Sequence, residues 1–334
     1  MKKKQKKTDN DEQQKMDTDA ANKDNHDSEL SSDDDGDEEL HEGTSDEGDD
    51  NELMTDELEN AELLDFDFEA LPLHENDKEG IVNMLTQMFL RANVDVESMA
   101  DKMIERSPLG CVFLPAEDNA EDGNENVVYG VLSILPLNPD EKYVRGFWTL
   151  LIERAKKYAV DKGVVQELEA LSHEQEKSQA VLLVNERMLH FSSSIAKPAF
   201  SALISDLKND KKANNFTSAI VIMKIRIADT GSQTTSSDTK KGKRKLGKAE
   251  KRRLRALALT NSEVIFDNPE EKLLFEDKEE VKFFQYPVYS DVEKDSKFNA
   301  TVVHGVTFRP YRRVCIINHK LFDRFLRTVA NNNV

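Results

Sequence analysis

The chain has 334 residues, with 46 Lys and Arg against 65 Asp and Glu, a formal net charge of −19 and a mean hydropathy of −0.65. No window approaches the ~18 consecutive apolar residues a membrane-spanning helix needs, and Met1-Lys2-Lys3-Lys4-Gln5-Lys6-Lys7 runs into acids rather than an apolar stretch, so membrane and secretory classes are set aside and an intracellular protein is expected. The acidity is local: residues 1–69 hold 27 acidic and 7 basic residues, a net of −20, which leaves 38 acidic and 39 basic residues in 70–334.

Residues 1 to about 60 carry no aromatic side chain and few aliphatic ones, too little apolar surface to offset the entropy of ordering, so 1–62 read as a disordered acidic tail. Order is expected from Leu63 onward, where apolar and acidic residues alternate with the period of a strand through Ala70. Ile81, Met84, Leu85, Met88 and Phe89 then recur at helical spacing. So do Val96, Met99, Ala100, Met103 and Ile104 behind Asp95, an expected N-cap. Pro108-Leu109-Gly110 ends the second helix, and strands are expected at 111–114 and 127–135 around the acidic loop 115–126.

A third helix places Phe147, Leu150, Leu151, Ala155 and Tyr158 on one face, and helical spacing continues through Leu171. A buried strand at 180–184, a helix opening near Pro198 with Phe200, Leu203, Ile204 and Leu207, and a second buried strand at 219–227 follow. Residues 229–248 hold Gly, Ser, Thr and Lys with almost nothing apolar, and 229–255 read as a disordered basic insertion. Strand-like runs at 263–266, 281–289, 301–308 and 313–317 precede a last helix using Phe322, Phe325, Leu326 and Val329. The expectation is a single α/β (α+β) domain over 63–330, its central sheet covered by helices.

The common catalytic strings are missing: no phosphate loop, no dinucleotide fingerprint, no nucleophile elbow and no His-Glu-x-x-His. The seven His show no metal-ligand spacing, His190 and His319 beside apolar runs read as structural, and Cys111 and Cys315 read as reduced core thiols. No metal and no cofactor is therefore expected.

Charge blocks are the prominent signal. Asp33, Asp34, Asp35, Asp37, Glu38, Glu39, Asp49 and Asp50 lie in the densest part of the tail, which imitates a nucleic acid in charge and suits basic proteins as clients. The alternative is a segment that only keeps the chain soluble. Lys240, Lys241, Lys243, Arg244, Lys245, Lys251, Arg252 and Arg253 belong to a run of ten bases and one acid over 240–255. Two readings of this run stand, an importin-binding nuclear-import signal and a solvated loop. The neighbouring tail competes with phosphate for it and argues against nucleic acid. Ser31 and Ser32 each precede an acid by three residues and are candidate phosphosites.

Several strings resemble the BCCIP family of eukaryotic nuclear proteins: Phe66-Asp67-Phe68-Glu69-Ala70, Gly80-Ile81-Val82-Asn83-Met84-Leu85, Met88-Phe89-Leu90-Arg91-Ala92 and Tyr129-Gly130-Val131-Leu132-Ser133-Ile134. Val181-Leu182-Leu183-Val184-Asn185-Glu186-Arg187-Met188-Leu189, followed by Ile195-Ala196-Lys197-Pro198, resembles the same family, with Phe191 and a serine run where a proline often stands. The resemblance covers about residues 63–330. It implies a nuclear and cytoplasmic protein whose fungal relatives act as chaperone for a large-subunit ribosomal protein and assist nuclear export of a lipid kinase. Animal relatives are partners of a recombination mediator and of a cyclin-dependent-kinase inhibitor.

The family's fold is similar to that of GCN5-related acetyltransferases. The pyrophosphate loop of that class, Arg/Gln-x-x-Gly-x-Gly/Ala, does not occur here. The leading expectation is a non-enzymatic adaptor and chaperone for basic clients, serving nuclear export and ribosome biogenesis. The alternatives are a cell-cycle and recombination scaffold, or a degenerate acyltransferase. Asn185, Glu186 and Arg187, at the end of a buried strand, stand either as a partner surface or as internal structure, with Glu186 and Arg187 forming an internal ion pair or capping Ser192–Ser194.

Overall fold

The computed structural model describes residues 68–116, 127–173, 179–189, 191–229, 262–276, 281–292, 296 and 299–332. The chain divides into residues 1–63 and 64–334, and all the described residues belong to the second unit. Within it the strands are β1 (Phe68–Leu71), β2 (Cys111–Pro115), β3 (Gly130–Pro136), β4 (Ala180–Arg187), β5 (Ser218–Ala228), β6 (Val264–Phe266), β7 (Lys282–Pro287), β8 (Thr301–Val303) and β9 (Val306–Asn318). The helices are α1 (Lys78–Phe89), α2 (Val96–Glu105), α3 (Lys142–Tyr158), α4 (Lys162–His173), α5 (Ala196–Asn209) and α6 (His319–Asn331).

The strands form one sheet in the order β1-β2-β3-β4-β5-β9-β7, with β6 added to β5 and β8 to β9. Every pairing is antiparallel except β4 with β5. The apolar stripes of α1, α2, α3 and α4 cover one face, and α5 and α6 cover the other. That double cover is why β3, the Ala180–Val184 part of β4 and the Ala219–Met223 part of β5 read as near-continuous apolar runs rather than alternating ones. The fold is the expected mixed α/β sheet flanked by helices.

Local chemistry starts the helices where the spacing predicts. Asp95 accepts from Ser98 N at 3.0 Å to cap α2. Asn318 accepts from Leu321 N at 2.8 Å to cap α6, whose Leu321, Phe322, Phe325, Leu326 and Val329 are all buried.

Three elements differ from expectation. The run 301–308 is a hairpin: Val303 pairs with Val306 across His304 and Gly305, whose φ values of 50° and 76° make the tight turn that fits the twist of two antiparallel strands. The expected strand 313–317 is the end of the 13-residue β9, which passes through Pro310. Pro310 O accepts from Val288 N, so its ring nitrogen faces the side where β7 has just ended, and the missing N–H breaks no ladder bond there. Third, β4 continues beyond Val184 through Asn185, Glu186 and Arg187, which become buried strand residues. Their polarity hid this continuation.

Candidate functional site

β4 and β5 run parallel and in register only over Ala180–Leu183 and Ser218–Val221. Beyond that point β4 stays with β3 to Arg187 and β5 stays with β9 to Ala228, while β6 occupies the other edge of β5 at Ile225–Ile227. The sheet therefore forks at the carboxyl ends of its parallel pair, the place where open α/β sheets receive ligands. Here the chain itself fills the fork, with a 3-10 segment, Pro269–Phe275, whose Glu270 and Glu271 are 0% and 1% exposed.

On the α5/α6 face, strand alternation turns Asn185 and Arg187 toward this segment. Arg187 NH2 contacts Glu270 Oε1 and Oε2 at 2.5 and 2.6 Å, and Arg187 Nε donates to Asn268 Oδ1 at 3.1 Å. Asn185 Nδ2 donates to Glu270 Oε1 at 3.1 Å and Glu271 Oε1 at 3.0 Å. Asn268 Nδ2 closes the network on Asn185 O at 2.8 Å and on Glu271 Oε1 at 3.2 Å. Burial, with the Glu270 charge beside it, holds the Glu271 carboxyl well above the ordinary carboxylate range.

The segment is also gripped from β9. The guanidinium of Arg313 lies 5.5, 5.0 and 4.7 Å from the ring centres of Phe266, Phe275 and Phe283, and donates from Nε and NH2 to Gln285 Oε1. One cation thus ties β6, the 3-10 segment and β7 together.

On the opposite face Glu186 pairs with Lys224 of β5, Oε2 to Nζ 2.5 Å, without the angles of a hydrogen bond, while Lys224 Nζ donates to Arg187 O at 3.2 Å. Arg226 reaches Asp267 Oδ1 at 3.1 Å and also bonds Asn299 O and Thr301 Oγ1, which fastens β5 to the segment after β6 and to β8. β3 comes close to β4 here because Gly130 has no side chain: a Cβ would lie 2.7 Å from Glu186 O and 2.8 Å from Arg187 Cγ.

Asn185, Glu186 and Arg187, at 5%, 1% and 3% exposure, form no partner surface. They are internal, and besides its ion pair Arg187 reaches Ser192 O from NH1 at 3.5 Å. Asn268, Glu270 and Glu271 are the residues of this buried network that the sequence reading missed. The available signal was a Glu pair set between apolar runs, Val264-Ile265-Phe266 before it and Leu273-Leu274-Phe275 after it. The acids from Asp33 to Asp50, the serines Ser31 and Ser32, and the basic residues from Lys240 to Arg253 lie outside the described residues, as does His190. His319 is structural: its Nε2 lies 2.9 Å from Asn214 Oδ1 and its ring lies against Phe216. Cys111 and Cys315 are free and buried, their thiols pushed up to about 12 chiefly by burial. Among the described residues no cluster of three or more His, Cys, Asp or Glu could hold a metal ion, and no described helix is long and apolar enough to cross a membrane.

Comparison with known proteins places this geometry in context. The BCCIP family profile matches residues 63–274, a stretch that contains both halves of the fork, Asn185–Arg187 and Asn268–Glu271. The Caenorhabditis elegans protein BCCIP homolog is 37% identical over 78% of this chain and 77% of its own length. The human BRCA2 and CDKN1A-interacting protein is 28% identical over 44% of this chain and 48% of its own. A crystal structure of BCP1 from Saccharomyces cerevisiae is similar at 12% identity over 84% of this chain and 94% of that one, with a TM-score of 0.45. A mosquito arylalkylamine N-acetyltransferase-like protein aligns at a TM-score of 0.28 and 12% identity, over 75% of this chain and 100% of that one.

Proposed function

This chain belongs to the BCCIP family, and from that premise we propose that it is a non-enzymatic adaptor and chaperone for basic client proteins, a large-subunit ribosomal protein first among them. The observation that carries the reading is the separation of charge: a net of −20 in residues 1–69 attached to a unit whose remaining residues are balanced. A polyanion of that density attracts Lys- and Arg-rich surfaces and shields them from RNA. Its counterpart is a client whose exposed charge is positive, which describes ribosomal proteins before assembly.

The fork supports a carrier over a catalyst. At the position where sheets of this class receive ligands, the described residues supply their own occupant, and Glu270 and Glu271 are committed to Arg187, Asn185 and Asn268. A carboxylate so engaged is poorly placed to move a substrate proton. The basic run at 240–255 is assigned to importin recognition, giving a protein that passes between nucleus and cytoplasm and supports nuclear export and ribosome biogenesis.

A second reading, a scaffold for recombination and cell-cycle proteins, is favoured by the name of the human relative, which states two partners. Purification of the endogenous protein at low salt, with identification of its stoichiometric partner, separates the two. A ribosomal protein supports the chaperone reading, whereas a recombination mediator or kinase inhibitor with no ribosomal protein replaces it by the scaffold.

A further inference from the structure

A cavity of about 190 Å³ opens on the α1 side of the fork, between α1, β5, β9 and the chain around Asp291. Leu90, Val292 and Pro310 give it apolar walls, and Lys224 and Arg312 also line it. These two cations are direct cross-strand partners in the β5–β9 register and share one face of the sheet. Like charges so placed repel each other, the more strongly where side chains are only 5% and 6% exposed.

Charge among the described residues does not balance them. Lys224 faces Glu186, and the other acids lining the cavity, Asp267 and Asp291, are held by Arg226 and Arg154. Arg312 meets only carbonyls among the described residues: Met88 O, Gln87 O and Tyr311 O. Around the cavity the described residues thus set four cations against three carboxylates, an excess of one positive charge. Both cations keep unused donors: Lys224 Nζ donates to Arg187 O and is ion-paired with Glu186, and the described partners take three of the five N–H groups of Arg312. Gln87, on the same wall, has a buried Oε1 with no partner among the described residues.

We propose that this cavity is a binding site for a carboxylate carried on a short apolar stem, seated against Arg312 and Lys224 with its stem among Leu90, Val292 and Pro310. One carboxylate removes the excess charge and occupies the space between the opposed cations. The volume suits a small acid or a single acidic side chain, being slightly larger than the roughly 150 Å³ that holds a benzene ring. The site does not depend on the role proposed for residues 1–62.

The test uses the full chain, with benzoate and benzamide as probes of equal shape, and the capped tripeptide Ala-Glu-Ala beside its Gln counterpart. Calorimetry and the thermal midpoint are read at matched ionic strength. One-to-one, saturable binding of benzoate without binding of benzamide is expected. Arg312→Gln should weaken it about tenfold or more. Arg312 also holds the last carbonyls of α1, so that variant can lose the fold. Val292→Phe, which fills the cavity from its half-buried rim and leaves every ion pair intact, is the second variant and should abolish binding. Preference for the Glu peptide over the Gln peptide identifies a partner's acidic side chain as the source. Benzoate binding with no peptide binding identifies a free acid. Equal response to benzoate and benzamide, absence of saturable binding, or binding that survives Val292→Phe overturns the proposal.

Discussion

Arg187 of β4 holds both carboxylate oxygens of Glu270, 83 residues away in sequence, at a site where the two side chains are 3% and 0% exposed. Breaking such a pair from one side leaves a buried charge without its partner, at a cost of about 3–5 kcal/mol, whereas replacing both partners by apolar groups costs much less. Arg187→Met is therefore expected to lower stability by that amount in urea unfolding, and Arg187→Met combined with Glu270→Leu to recover a large part of it. A double variant no more stable than the single one would show that the pair is not the unit that seals the fork.

The reach of this pair explains what the sequence reading could and could not see. Helices α1, α2 and α6 show themselves through apolar residues three and four apart, a local signal, and Asp95 before α2 is local too. The fork is not local. Asn185-Glu186-Arg187 leaves a partner surface and an internal pair both open, and Asn268-Pro269-Glu270-Glu271 carries no signal of burial, because a polar residue is buried only where its partner arrives, and each stretch is the other's partner. The β8–β9 hairpin was missed for a related reason: His304-Gly305 is a two-residue turn inside an apolar run, and its weak turn signal was outweighed by the valines around it.

Glu271 makes stability depend on pH. Its native carboxyl titrates well above the usual range because of burial first and Glu270 second, so between the unfolded value of about 4.3 and the native one the folded state binds more protons than the unfolded state. The contribution of this group is fully present below the unfolded pKa and is lost as pH rises through the native one. Glu271→Gln keeps the shape of the protonated acid and removes the titration. Urea midpoints measured from pH 5 to about pH 9 should fall less steeply for Glu271→Gln than for the unmodified chain, and the variant should be the more stable at the upper end. Parallel profiles would assign the slope to other groups.

The two thiols should be silent in the native state. Cys111 and Cys315 are buried and their thiols are pushed up to about 12, so almost no thiolate is present at neutral pH and a reagent has no path to it. Thiol titration is expected to give essentially no fast reaction for the folded protein and two equivalents in strong denaturant. A fast equivalent without denaturant would contradict the packing around one of them.

Gly130 lets β3 and β4 approach at the fork. An added methyl would meet Phe113 Cδ2 at 2.7 Å as well as the backbone of Glu186, so Gly130→Ala should cost about 1–3 kcal/mol in unfolding experiments. A neutral substitution would mean that the two strands separate there more easily than their ladder implies.

Recruitment of a basic client to the folded unit by the acidic segment is open to direct measurement. The most direct measurement is the affinity of a basic large-subunit ribosomal protein for the full chain and for a chain lacking residues 1–62, titrated from low to high salt. Tight binding by the full chain that weakens steeply with salt is expected, with weaker, nearly salt-independent binding after the deletion. Equal affinity of the two chains at low salt would contradict it.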